Sequence, residues 1–66
     1  MNLDAKALYI AIAESHLTTK EILQRAGITP RTWLKARNGK PIRAQTAGRI
    51  AHALNVPVTA LLPTEN

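Results

Sequence analysis

Arg31 and Lys35 are the residues whose type and spacing most clearly indicate chemistry, because they are four positions apart in a segment with helical features. Side chains at that spacing lie one turn apart on the same side of a helix. Arginine presents a rigid fork of N–H donors, lysine presents three more, and neither side chain accepts a hydrogen bond. They are therefore suited to donating hydrogen bonds to anionic oxygens or to paired acceptor atoms. Pro30 and Thr32 lie beside them and offer apolar contact from a ring and a methyl group.

Candidates for catalysis are scarce in this sequence. His16 and His52 are far apart, and neither is accompanied by a pair of acidic residues. The sequence also has no serine nucleophile motif and no glycine-rich loop of the kind that holds phosphates. We predict that the chain is not an enzyme, that it has no catalytic residues or metal ligands, and that it uses no cofactor or small-molecule ligand. Both histidines are expected to be solvated.

Positive charge is concentrated in the middle of the chain, whose formal net charge is +5. Between Lys20 and Arg49, eight arginines and lysines stand against a single anion, Glu21, so this segment alone carries +7. Such a concentration destabilises the folded chain by self-repulsion, which favours a polyanionic partner such as nucleic acid. A solvated basic surface that serves solubility is the alternative.

Length and composition favour a single domain spanning residues 1–66, because a chain this short has room for one hydrophobic core. Cysteine is absent, which excludes disulfides and cysteine-based zinc sites from this sequence. The longest apolar stretch, Ala7 to Ala13, is too short to span a membrane, and we expect that the chain is not exported. We expect a cytoplasmic protein that does not bind membranes.

The first two helices are predicted from their caps. The first runs from about Asp4, a suitable N-cap, to Ser15. Its expected inner face consists of Ala5, Leu8, Ile12 and Ser15. Thr18 and Glu21 form a capping box at the start of a second helix, which is expected to stop at Gly27.

A third helix is predicted to begin after Thr29, with Pro30 at its first position, and to end near Arg37. Only three residues separate it from the second helix, and the first of them is a glycine. Two short helices joined in this way are typical of a helix-turn-helix, here at residues 18–37. Trp33 is expected to be buried beside Ile28 and not to stack on bases.

The rest of the chain is also predicted to be helical. A fourth helix is expected at 44–54, with an inner face formed by Ala47, Ile50, Ala51 and Leu54. Gly48 in that helix costs about 1 kcal/mol relative to alanine, which the close approach of another helix would explain. A last turn or two is expected at 58–62, followed by a frayed tail at 63–66. The predicted fold class is therefore all-α, a compact bundle of about five short helices.

The segment from Leu17 to Leu62 resembles the phage Cro and repressor type of helix-turn-helix protein, the XRE-like family. The resemblance rests on Leu17-Thr18, Glu21, Gly27-Ile28-Thr29, Asn38-Gly39-Lys40, the run Ile50-Ala51-His52-Ala53-Leu54-Asn55-Val56, and Leu61-Leu62. Asn55 replaces a usual glycine, and asparagine is the next best residue for a left-handed helix cap. The resemblance implies a lambda-repressor-like DNA-binding fold. The family often has an ion pair where this chain has Arg37 and Ile12, so Arg37 is left to meet phosphate.

The resemblance also implies which residues bind DNA. Those expected to contact base edges in the major groove are Pro30, Arg31, Thr32 and Lys35. Those expected to contact phosphates are Thr18, Thr19, Lys20, Arg37, Asn38, Lys40, Arg43 and Gln45. The expected dimer surface consists of Val56, Val58, Leu61 and Leu62. The role of Leu34 stays open between packing under the Pro41-Ile42 loop, contact with thymine methyl groups and contact with a protein.

The function implied is that of a sequence-specific transcriptional regulator, a Cro-like or small repressor-like protein that occupies an operator in a bacterial or phage-infected cell. Its partner would be double-stranded DNA with two half-sites about 34 Å apart, bound by a homodimer that is weak and forms on the DNA. An antitoxin-like or adaptor module that binds a protein through Leu34 and Ile42 is the first alternative. A small helical RNA-binding protein is the second.

Overall fold

The chain forms four short α-helices followed by one 3₁₀ helix in a computed structural model that describes residues 1–63. The elements are α1 (Ala5–Ser15), α2 (Thr19–Ala26), α3 (Pro30–Arg37), α4 (Ala44–Ala53) and the 3₁₀ helix Val58–Leu61. Residues 1–63 contain no strand, so the all-α prediction is confirmed for this part of the chain. The predicted count of about five α-helices is corrected to four, because the last segment makes only a 3₁₀ turn. Most of the predicted frayed tail, 64–66, lies outside the described residues.

Each predicted cap of α2 is present. The Thr18 amide donates to Glu21 Oε1 at 3.0 Å, and the Glu21 amide donates to Thr18 Oγ1 at 3.2 Å. At the other end Gly27 has a φ of 67°, and its amide donates to the carbonyl of Leu23 at 2.9 Å. This left-handed residue ends α2 and redirects the chain, so that α3 begins only three residues later.

The ends of α3 are also fixed by local hydrogen bonds. Thr29 caps its start by accepting from the Thr32 amide at 3.2 Å, and Pro30 occupies the first turn. At its C-terminal end Gly39 adopts a φ of 71°, and the Lys40 amide donates back to the carbonyl of Lys35 at 3.0 Å. This arrangement is a Schellman motif, which holds Lys40 beside the last turn of the helix.

The hydrophobic core lies where the four α-helices and the 3₁₀ helix meet, and it includes Trp33 and Ala36 of α3. Its largest fully buried side chains are Leu3, Leu8, Ile22, Ile50 and Leu61. The predicted inner face of α4 is confirmed, since all four of its residues are buried. None of the helices in the described range is long and apolar enough to pass through a membrane.

Two predicted surfaces are corrected by this packing. Ala5 is exposed, because Leu3 in the extended segment before α1 fills that end of the core, and Ala11 joins Leu8 on the buried side of the helix. Leu61 is fully buried, and its carbonyl accepts from the Asp4 amide at 2.8 Å. Leu61 is thus a core residue and cannot belong to an exposed dimer surface. The other three residues of that predicted surface are partly buried against the core.

Gly48 has no packing reason in the described structure. A Cβ atom built on it would meet nothing within 4 Å, apart from its own helix backbone. Close approach of another helix therefore does not explain this glycine within the described residues.

The N-terminal segment binds the loop between α3 and α4. The Met1 amino group donates to the carbonyl of Ile42 at 2.9 Å, and the Ile42 amide donates to the carbonyl of Met1 at 2.8 Å. The side-chain amide of Asn2 donates to the carbonyl of Gly39 at 2.8 Å. The loop that carries Lys40 and Arg43 is consequently held at several points.

Candidate nucleic-acid interface

The outer side of α3 carries two cations, Arg31 and Lys35. Trp33 and Ala36 face the core, and Arg31, Leu34 and Lys35 are exposed on the opposite side of the helix. Leu34 is 58% exposed, which is unusual for a leucine at the centre of a helix face. The expected inward orientation of Trp33 is confirmed by its exposure of only 4%.

A shallow groove, which we call the α3 groove, brings together four polar residues around Leu34. It is lined by Arg31, Leu34, Lys35, Asn38 and Lys40. Because the Schellman motif turns the chain back after α3, Lys40 faces the same groove as the helix side chains. Four residues predicted to bind DNA are thus placed together, and an apolar side chain that the prediction left unassigned lies among them.

A second groove, the α3–α4 groove, contains another part of the predicted site. Its lining residues are Thr32, Lys35, Pro41, Ile42, Arg43 and Thr46. Lys35 is therefore shared by both grooves, whereas Thr32 faces only this one. The Thr32 hydroxyl accepts from the Thr29 hydroxyl at 3.1 Å, which fixes its orientation. No acidic side chain from the described residues lines either groove.

Arg37 lies apart from the other predicted contacts. It lines a small groove with Ala5, Leu8, Tyr9 and Ile12, on the side of α3 that faces α1. Arg37 and Ile12 therefore line the same groove. These are the two positions at which the resembled family often has an ion pair and this chain has none.

The start of α2 differs from the prediction in one respect. The Thr18 amide and hydroxyl both donate to Glu21 Oε1, at 3.0 and 3.1 Å, so neither donor is available for phosphate. These two hydrogen bonds, with a smaller contribution from the Arg25 charge, lower the pKa of Glu21. A carboxylate held at this helix end repels a second anion. Any phosphate contact here depends on Thr19 and Lys20, both of which are exposed.

The start of α4 has the opposite character. Arg43 is its N-cap residue and makes no side-chain cap hydrogen bond. The first-turn amides of α4 therefore have no side-chain acceptor at the cap and lie next to a cation, which is a favourable setting for a phosphate. Arg43 and Gln45 were predicted from the sequence to contact phosphate, but these amides and Thr46 were not. The available signal was the residue type, since arginine is a poor N-cap.

Comparisons of this chain with models of known protein families, with curated proteins and with solved structures found no match.

Proposed function

We propose that the chain is a sequence-specific double-stranded DNA-binding protein in which α2 and α3 form a helix-turn-helix and α3 enters the major groove. One observation carries the proposal. The outer face of α3 presents Arg31 and Lys35 around an exposed leucine, in grooves to which the described residues contribute no acidic side chain.

The dimensions and chemistry of α3 favour duplex DNA. The helix has eight residues. An α-helix fits the major groove of B-DNA, which is about 12 Å wide. The fork of Arg31 matches the paired O6 and N7 acceptors of guanine, and the Lys35 ammonium donates to the same kind of acceptor. Leu34 lines the same groove and is suited to contact the methyl group of thymine.

Phosphate contacts would flank this helix on both sides. Lys40, Arg43 and the open amides of α4 lie on one side, and Thr19 with Lys20 lies at the start of α2. Contacts of this kind fix the position of a protein on the duplex without reading its sequence. Together with Arg31 and Lys35, they account for five of the eight cations between residues 20 and 49.

A regulatory role extends the proposal, and it is supported by the resemblance to Cro and repressor proteins. A DNA-binding module of this kind can act by occupying an operator. Repression by blocking a promoter is the role we propose.

The alternative of a protein-interaction module loses its main support. That hypothesis predicts an exposed apolar patch made of Leu34 and Ile42, but Ile42 is only 9% exposed and is held by Met1. Leu34 is then left as a single exposed leucine among cations, which fits DNA better than an apolar protein surface.

Selection of bound duplexes from a random DNA library tests the proposal. We expect an enriched inverted repeat, and binding to it that falls steeply with salt but exceeds binding to a scrambled duplex. Arg31→Ala should relax the preference at one base position, with a loss of about 1 to 3 kcal/mol. The matched control is Arg25→Ala, which removes the same charge from a groove beside Glu14 and Asn55, away from α3. No enriched sequence, or equal losses for the two variants, would overturn the proposal.

A further inference from the structure

The outer side of α1 is an apolar surface that the described core does not use. Leu8 and Ala11 bury the inner side, whereas Tyr9 is 68% exposed and Ile10 is 48% exposed. Ala13 is exposed too, and at 100° per residue these three side chains lie on one stripe of the helix. A helix that is apolar on both sides is expected to have a second partner on its outer side.

Two charged residues border this stripe in an unfavourable arrangement. Lys6 lies in the first turn of α1, and Glu14 lies in its last turn. The helix dipole favours anions near the N-terminus and cations near the C-terminus, so each charge is at the end that disfavours it. Both side chains are exposed. Within one molecule, the dipole of α1 opposes this placement.

A second copy of α1 lying antiparallel to the first resolves this arrangement. Lys6 and Glu14 are each four residues from Ile10, so a two-fold axis at Ile10 places each lysine opposite the glutamate of the other copy. The N-terminal end of each helix then lies beside the C-terminal end of its partner, where the sign of both charges is favourable. The two Ile10 side chains meet at the axis, and the small side chain of Ala13 allows the helices to approach.

We propose that this apolar stripe, together with Lys6 and Glu14 at its two ends, binds a second copy of the chain in an antiparallel, two-fold symmetric contact. Charge distribution favours this surface over others. Lys6 and Glu14 cancel here, whereas two copies that met through the segment 20–49 would each bring a net charge of +7. The stripe shares no residue with the α3 groove or the α3–α4 groove, so the contact leaves both open.

The contact is small. One short helix from each copy buries an area at the lower end of the range for protein interfaces, below roughly 1,200 Å² in total. We therefore expect a weak dimer, seen by sedimentation equilibrium of the full chain over a concentration series that reaches the millimolar range, in the absence of DNA.

Charge reversal tests the antiparallel arrangement. Lys6→Glu places like charges opposite each other twice in the dimer and should weaken association about tenfold. The variant lowers the net charge by two units, and its new anion lies at the helix end that favours it. The lower net charge reduces general repulsion between copies, and the anion in the first turn of α1 stabilises the helix. Both effects would strengthen association, so neither can explain a weaker dimer. The double variant Lys6→Glu/Glu14→Lys should restore association to within about twofold, because the two ion pairs are then reversed.

Ile10→Glu and Leu34→Gln form a matched pair at exposed apolar positions. The first should abolish the dimer, and the second should leave its dissociation constant unchanged. Thermal unfolding of each variant checks the fold. Glu14→Lys places a second cation in the groove that contains Arg25 and can destabilise the double variant. In that case the two single variants, Ile10→Glu and Lys6→Glu, still test the proposed contact. A chain that is monomeric at all concentrations overturns the proposal. A dimer that resists both of these variants, or one that is lost only on substitution of Leu62, overturns it as well.

Discussion

Met1 and Ile42 exchange two backbone hydrogen bonds across 41 positions of the chain, one in each direction. The pair resembles one rung of an antiparallel ladder and joins the N-terminal segment to the residue before Arg43. With the bond from Asn2 to the Gly39 carbonyl, it holds both ends of the loop that carries Lys40. The position of two proposed phosphate contacts thus depends on residues that lie far from them in the sequence.

Removal of Met1 and Asn2 should therefore loosen this loop and leave the helices in place. The Ile42 amide loses its acceptor, so its hydrogen exchange should accelerate, while exchange at the amides of α4 beyond its first turn should stay unchanged. DNA affinity should fall for all sequences alike. Asn2→Ala isolates the side-chain bond and should give the smaller change. Unaltered protection of Ile42 in the shortened chain would contradict this account.

Gly48→Ala should stabilise the protein by about 1 kcal/mol, because an alanine at an open position in a helix avoids the entropic cost of glycine. For a domain of this size that corresponds to a rise in the midpoint of thermal unfolding of about 4 to 8 °C. Gly27→Ala is the matched control, since its Cβ also meets nothing within 4 Å but its φ is 67°. That variant should lose about 1 kcal/mol or more from left-handed strain. A loss of stability in Gly48→Ala would contradict the finding that a Cβ atom at this position meets nothing within 4 Å beyond its own helix backbone.

Stability should depend on pH through Glu21. Its pKa is lowered in the folded chain, mainly by the Thr18 amide and then by the Thr18 hydroxyl. The folded state therefore favours the carboxylate, so its contribution is present above the pKa of the unfolded chain and is lost as the pH falls through the folded pKa. The difference in free energy of unfolding between the native chain and Glu21→Gln should shrink from pH 7 towards about pH 3.

Glu14→Gln controls for the loss of one negative charge at an exposed position outside any cap. Urea unfolding at each pH measures these differences. A gap between the native chain and Glu21→Gln that does not vary with pH would contradict the assignment of the capping box as the cause.

Leu34 should read a thymine methyl group in the selected DNA. Replacement of one thymine at a time by deoxyuridine removes only that methyl, and at one position it should weaken binding by the native chain about threefold. Leu34→Ala should bind the two duplexes equally at that position, while the effects at all other thymines stay as before. If both proteins lose the same affinity on the modified duplex, Leu34 makes no such contact.

The caps and turns were predictable from the sequence because they depend on residues three to five positions apart. Thr18 with Glu21, Gly27, and Thr29 with Pro30 each determine a helix end through their own side chain or backbone freedom. Asn55 is a further case, since its φ of 58° agrees with the left-handed cap expected there.

The long-range contacts could not be predicted in the same way. Leu3 stands alone before α1, so it contributes to no helical periodicity, and Leu61 lies in a segment too short to show one. Both are fully buried, because the two ends of the chain close the same core. For the candidate site, residue type and spacing predicted that Arg31 and Lys35 share one face of α3, and both line the α3 groove. The exposure of Leu34 beside them depends on the packing of Trp33 and Ala36 on the inner side of the helix.

The bond from the Asp4 amide to the Leu61 carbonyl, at 2.8 Å, brings the start and the end of the fold side by side. The ends of this domain can therefore be joined by a short linker and new ends opened elsewhere, as in a circular permutant. The exposed turn at Asn38 is unsuited to new chain ends, because the N-terminal segment binds there. The turn between α1 and α2 is better suited, since it begins with the exposed residue His16.

The hydrogen bond between Asp4 and Leu61 is also the most costly in chain entropy, since its formation closes a loop of nearly the whole chain. Folding should thus proceed from the α2 to α4 region outwards, with the joining of the two ends as its final step.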